Sequence, residues 1–131
     1  MDTRELNTKE IKDLLGRPVA FYPALVPICG GVAPALMVCQ ALYWTSRTGN
    51  ADGWFYKTRE QWEREVGLTR KEQETARRYL GVTDFWNEKR GGCGNRLHFR
   101  LQLGPLKTAI QTGKRPNPNY RELDDDDPDE M

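Results

Sequence analysis

A mainly α fold closed by a small β-hairpin, an α+β arrangement, is what the sequence predicts, and three observations predict it. Apolar residues recur at helical spacing behind cap signals as far as Leu80, with a Thr-x-x-Glu capping box at Thr69. Beyond Gly81 the period changes to alternation, interrupted by the run Gly91-Gly92-Cys93-Gly94-Asn95. The length of 131 residues, 37% of them hydrophobic, admits one domain with its own core and is too short for most two-domain enzymes.

Residues 1–31 read as an N-terminal extension holding a short helix and an extended segment. Asn7 with Glu10 three residues later is a capping-box-like start, Ile11, Leu14 and Leu15 share a face, and Gly16 stops the helix. Arg17 to Tyr22 reads as extended, because Pro18 restricts its neighbour and Val19, Phe21 and Tyr22 favour strands. Pro23, Pro27 and Gly30-Gly31 then break the chain, which predicts an extension that packs on something else.

Residues 32–104 carry the main body. From Val32 to Arg47 the chain is helical and apolar on most sides, with Pro34 in a first turn that does not need its N–H, so this helix belongs at the centre of the core or against a partner. A polar turn from Thr48 to Gly53 feeds a very short aromatic strand, Trp54-Phe55-Tyr56. Thr58 caps a short helix that ends at Gly67, Leu68 points inward, and the Thr69 box opens a second helix running to about Leu80. Two helices this close must turn sharply, as in a helix-turn-helix. Phe85 to Arg90 and Arg96 to Leu103 form the hairpin, with Leu97, Phe99, Leu101 and Leu103 on its buried face and Arg96, His98, Arg100 and Gln102 on a basic one. Residues 105–115 make a C-terminal segment with room for a short helix, and residues 116–131 an acidic tail without periodicity, expected to be disordered.

Helix, short strand, helix, turn, helix and hairpin, in that order, predict a winged helix-turn-helix. Tyr43-Trp44, Asp52 to Thr58, Trp62 to Arg70, Glu72 to Arg78 and Arg96 to Arg100 together resemble the winged-helix domains of phage and plasmid replication initiators and replisome organisers. The resemblance covers roughly residues 20 to 103 and implies a DNA-binding fold. One departure stands out: the family pattern carries its second helix on to a Gly just before the hairpin, whereas here Gly81 comes early and Asp84 occupies that place. Asp tolerates left-handed backbone better than most residues, so the turn is expected to survive with the helix ending a turn sooner.

The net charge of +1 is a remainder of two unlike pieces. Residues 1–115 hold 19 Lys and Arg against 12 Asp and Glu, a net of +7, and residues 116–131 hold one Arg against seven acids, a net of −6. With the DNA-binding fold that the resemblance implies, the basic domain makes double-stranded DNA the expected partner. With Gln73, Ala76 and Leu80 turned inward, the outward arc of the Thr69 helix carries Lys71, Glu74, Thr75 and Arg78, with Arg70 and Arg77 towards one edge. Long cationic donors on such an arc match guanine acceptors and flanking phosphates. Glu72 and Glu74 oppose this, and an i,i+4 pair of Glu74 with Arg78 would make the arc an ordinary solvated face. Lys89, Arg90 and Arg96 surround the hairpin tip, and Thr58 and Arg59 open the preceding helix, whose N–H groups suit a phosphate. Trp44, Trp54, Phe55, Tyr56, Trp62 and Trp86 are expected mainly as core filler, with base stacking the less favoured reading.

Other classes fall away. The apolar stretch Val32 to Trp44 is too short and too interrupted to span a membrane, and the charged start Met1-Asp2-Thr3-Arg4-Glu5 resembles no secretory signal. Cys29, Cys39 and Cys93 are widely spaced and suit a reducing cytoplasm. His98 with Cys93 makes no metal set, a single His assembles no catalytic triad, and no phosphate-binding loop is present, so neither an enzyme nor a cofactor is expected. The leading expectation is DNA binding in replication initiation or transcription control of a phage, plasmid or other mobile element, with homodimerisation compatible. The alternative is a protein-interaction winged helix, for dimerisation or for a replication or host protein, with the tail as a DNA-like decoy.

Overall fold

The computed structural model describes residues 7–114. Among the described residues six helices and one small sheet follow in the order α1 (Thr8–Leu15), α2 (Leu25–Cys29), α3 (Val32–Thr45), β1 (Phe55–Tyr56), α4 (Arg59–Val66), α5 (Arg70–Gly81), β2 (Trp86–Gly91), β3 (Arg96–Leu101) and α6 (Leu103–Thr112). The sheet is antiparallel in the order β1-β3-β2, so the two-residue strand β1 adds itself to the outer edge of the hairpin, Phe55 opposite Phe99 and Tyr56 opposite His98. The acidic tail, 116–131, lies outside the described residues.

The apolar helix α3 sits at the centre, as its sequence requires: α2, α4, α5 and β3 all pack on it, and Ala35, Met37, Val38 and Ala41 are fully buried. A second part of the core is aromatic. Phe99 of β3 meets Trp62 edge to face at 5.3 Å, with Phe55 at 5.9 Å and Trp86 at 5.7 Å, the spacing at which such rings attract beyond their burial.

Four local expectations need correction. Pro23, Pro27 and Gly30-Gly31 do not merely break the chain: they bracket α2, whose Leu25, Ile28 and Cys29 are core residues. Pro27 is its third residue, within the first turn, where a backbone N–H has no helical acceptor to lose. The return strand stops at Leu101, not Leu103; Gln102 still donates its N–H to Phe85 at 2.8 Å and then caps α6, leaving Leu103 half exposed on that helix. Asp84 does not adopt left-handed backbone; the turn after α5 is closed by Thr83, whose N–H and hydroxyl both donate to the Leu80 carbonyl, at 3.0 and 2.7 Å. Finally, α1 buries no residue, and Ile11, Leu14 and Leu15 face solvent. The extended stretch after it touches the body, through Arg17 over the Tyr43 ring and the Tyr22 N–H on Cys39 Sγ.

No helix among the described residues is long and apolar enough to cross a membrane.

Candidate nucleic-acid interface

The α4–α5 unit is fixed by caps at both starts and a left-handed residue between. Thr58 accepts from the Gln61 N–H while Gln61 reaches back to the Thr58 N–H, and Thr69 and Glu72 repeat the exchange at the next helix. Gly67 ends α4 at φ 74°, a conformation that suits glycine, and Leu68 is buried beneath the turn. Gln73 ties the two helices, its amide donating to the carbonyls of Arg59 at 3.0 Å and Leu68 at 2.9 Å. The start of α4 and helix α5 are thus tied to each other, and the Arg77–Glu88 pair ties α5 to the hairpin.

Between them runs a groove of about 350 Å³ that brings together Thr58, Arg59, Arg77, Arg90 and Arg96, half of the residues expected at a DNA site. Its charge is partly spent. Glu88 of β2 grips Arg77 with both oxygens, at 3.0 and 2.7 Å, a bidentate pair that raises the Arg77 pKa and joins α5 to the hairpin. Glu74 pairs with Arg70 at 3.1 Å and lies 3.9 Å from Arg59, so the i,i+4 partner it takes is Arg70, not Arg78. Thr58 is occupied as a cap. Arg90 and Arg96 remain as the groove's wing-side cations.

The other expected residues lie apart. Lys71 is exposed and Thr75 half-buried along a cleft that α5 forms with Ala33 and Pro34 of α3, and Arg78 is half-buried. Lys89 points to the opposite side of the hairpin, over the Trp54 ring at 4.2 Å. Alternation explains this split: Glu88 and Arg90 share the face of Phe99 and Leu97, whereas Lys89 shares that of His98. The tip is a turn in which Gly92, Gly94 and Asn95 take positive φ, and Cys93 is exposed on it.

One polar cluster was not foreseen from the sequence. Lys57, 3% exposed, donates to both oxygens of Glu65 at 2.8 and 2.7 Å, and Glu65 also accepts from Gln40 at 2.6 Å and Trp44 at 2.8 Å. The ammonium stands over the Trp44 ring at 4.2 Å. Burial lowers the Lys57 pKa against the pull of the carboxylate. For Glu65 desolvation acts upwards, but the hydrogen bonds from Lys57, Trp44 and Gln40 outweigh it and hold the carboxyl below its ordinary value. The available signal was Lys57 directly after the aromatic run Trp54-Phe55-Tyr56, a cation at the end of a strand whose Phe55 enters the core.

Among the described residues no cluster of His, Cys, Asp or Glu is placed to hold a metal ion. Cys29 and Cys39 are buried thiols, and burial, with Cys39 nearby, pushes Cys29 up to about 12. Trp62, Phe55 and Trp86 are core, as expected, but Tyr56 is exposed and Trp54 half-buried. No family model, no curated protein and no solved structure matches the chain.

Proposed function

We propose that the chain is a DNA-binding protein of a phage, plasmid or other mobile element, acting in the cytoplasm in replication initiation or transcription control. In this reading α4, its turn and α5 form a helix-turn-helix, β2 and β3 are its wing, and together they bind duplex DNA as a winged helix. The observation that carries it is the groove in which the capped start of α4, the edge of α5 and the wing bring Thr58, Arg59, Arg77, Arg90 and Arg96 together. Phosphates suit that groove: Thr58 opens a helix whose first N–H groups are donors, and Arg90 and Arg96 flank it from the wing. Lys71 and Arg78 on the outward arc of α5 are the candidates for base edges.

An electrophoretic shift of the full chain on duplex DNA at two salt concentrations tests this. Each phosphate that a variant no longer neutralises should flatten the log–log salt slope by about 0.9, so Arg59→Ala/Lys71→Ala should bind more weakly, with a slope smaller by about 0.9 for the phosphate contact of Arg59. Unchanged affinity and slope in that variant would remove the reading.

A protein-interaction role is favoured by a different observation. The stripe Ile11, Leu14 and Leu15 on α1 is uncovered, and apolar surface of this kind suits a second copy of the chain. Light scattering of the wild type and Ile11→Ser/Leu14→Ser separates the cases: a dimer that the variant dissolves supports pairing through α1, and a wild-type monomer excludes it.

A further inference from the structure

The hairpin has a second side, which the proposed duplex groove reaches only at Arg96 and Tyr56. Register places Asn87 and Lys89 of β2, Arg96, His98 and Arg100 of β3, and Tyr56 of β1 on the solvent side of the sheet, and no carboxylate stands among these positions. Trp54, just before β1, joins them: Lys89 lies over its ring at 4.2 Å and Arg100 at 4.5 Å. Tyr56 has the Arg96 guanidinium over its ring at 4.8 Å and the His98 ring 5.8 Å away. Beside this face opens a groove of about 700 Å³, to which Arg47 adds a further cation. The contrast with the α5 side is chemical, because there Glu74 and Glu88 already take up arginines.

We infer that this face is a site for single-stranded DNA, with unpaired bases stacked on Trp54 and Tyr56 and the neighbouring phosphates on Lys89 and Arg100. Aromatic rings interleaved with cations and free of acids match a strand whose bases and phosphates alternate. A duplex does not fit the rings, since its bases present only their edges. A cation over a ring at the surface, exposed as Tyr56 is or half-buried as Trp54 is, is held more weakly than a base on that ring, so a base displaces it and the released group is left beside the phosphate next to that base. Deoxyribose rather than ribose rests on the duplex reading above; the stacking face does not.

Fluorescence anisotropy of the full chain tests the site with labelled oligo-dT of about 12 nucleotides, a length within the range one small domain covers, with oligo-rU of the same length and with duplex DNA. The quenching of tryptophan emission by each ligand is recorded in parallel. Trp54→Leu/Tyr56→Ser should lose oligo-dT affinity about tenfold and duplex affinity much less, and Arg59→Ala/Lys71→Ala should do the reverse. Lys89→Glu, a fully surface change, serves if the double variant melts early, and should also weaken oligo-dT binding and diminish the quenching. Undiminished oligo-dT affinity in a folded Trp54→Leu/Tyr56→Ser or in Lys89→Glu overturns the site. Equal loss of duplex and oligo-dT in either variant overturns it as a separate site, and tighter binding of oligo-rU overturns the assignment to DNA. If the wild type binds oligo-dT but no duplex, the duplex reading fails while the stacking site stands.

Discussion

At Lys57 an ammonium group is held out of water by a carboxylate and the face of an indole, and its energetics are those of a buried pair rather than a surface one. Removing one partner leaves the other charge with too few ligands, and such losses run to about 3 kcal/mol or more, whereas replacing both by apolar groups is often close to neutral. Lys57→Met is therefore expected to lose about 3 kcal/mol in urea unfolding, and Lys57→Met/Glu65→Leu to recover part of it. A double variant no better than the single would contradict the pair. The pH dependence has a defined sign. Because Glu65 is depressed in the folded protein, its contribution is fully present above the unfolded carboxyl value of about 4.3 and is lost as pH falls through the lower folded value. Wild-type stability should thus drop more steeply below about pH 4 than that of Glu65→Gln, measured by thermal melting across an acid series.

At the scale of elements, the α4–turn–α5 unit depends on two caps and one backbone conformation. Thr69→Ala removes the acceptor for the Glu72 N–H and is expected to lower stability by about 1 kcal/mol. Gly67→Ala places a side chain at φ 74° and should cost a similar amount, about 1 kcal/mol, although nothing stands within 4 Å of the added methyl group. Chemical denaturation of both variants checks these values. Such local chemistry is also why this part of the fold was legible in the sequence: Thr69, Glu72 and Gly67 state a helix boundary without reference to anything distant. Elsewhere legibility failed for identifiable reasons. Pro27, Pro34 and Pro105 each occupy the third position of a helix; only Pro34 is followed by a long apolar run, and so only that helix announces itself. Leu103 continues the alternation of Leu97, Phe99 and Leu101, yet the chain leaves the sheet at Gln102, because Gly104-Pro105 suits a helix start better than a strand. Pairing of β1 with β3 joins residues more than 40 positions apart, and no local pattern encodes that choice. At the candidate site the cationic residues were readable by type and spacing. Their neutralisation by Glu74 and Glu88, and the separation of Lys89 from Arg90, required the fold.

For the whole molecule, charge is distributed along the chain as a +7 portion through residue 115 followed by a −6 portion. A tethered polyanion competes with DNA for basic surface at high effective concentration. Cutting the chain after Arg115 should raise DNA affinity at low salt and matter little at high salt, where screening removes the competition. Equal affinities of the two chains at low salt would leave the acidic residues without this role.

The two sides of the hairpin also limit how its length can vary. Lys89 and Arg90 are neighbours in sequence but serve opposite faces, and β3 repeats the division with His98 and Leu97. Residues added within the tip, where Gly92 to Asn95 lie outside the ladder, change neither face. A single residue inserted into β2 would invert every side chain beyond it, sending Lys89 towards the core and Arg90 towards Trp54. Insertions in this protein should therefore be tolerated freely at the tip but within the strands only in pairs.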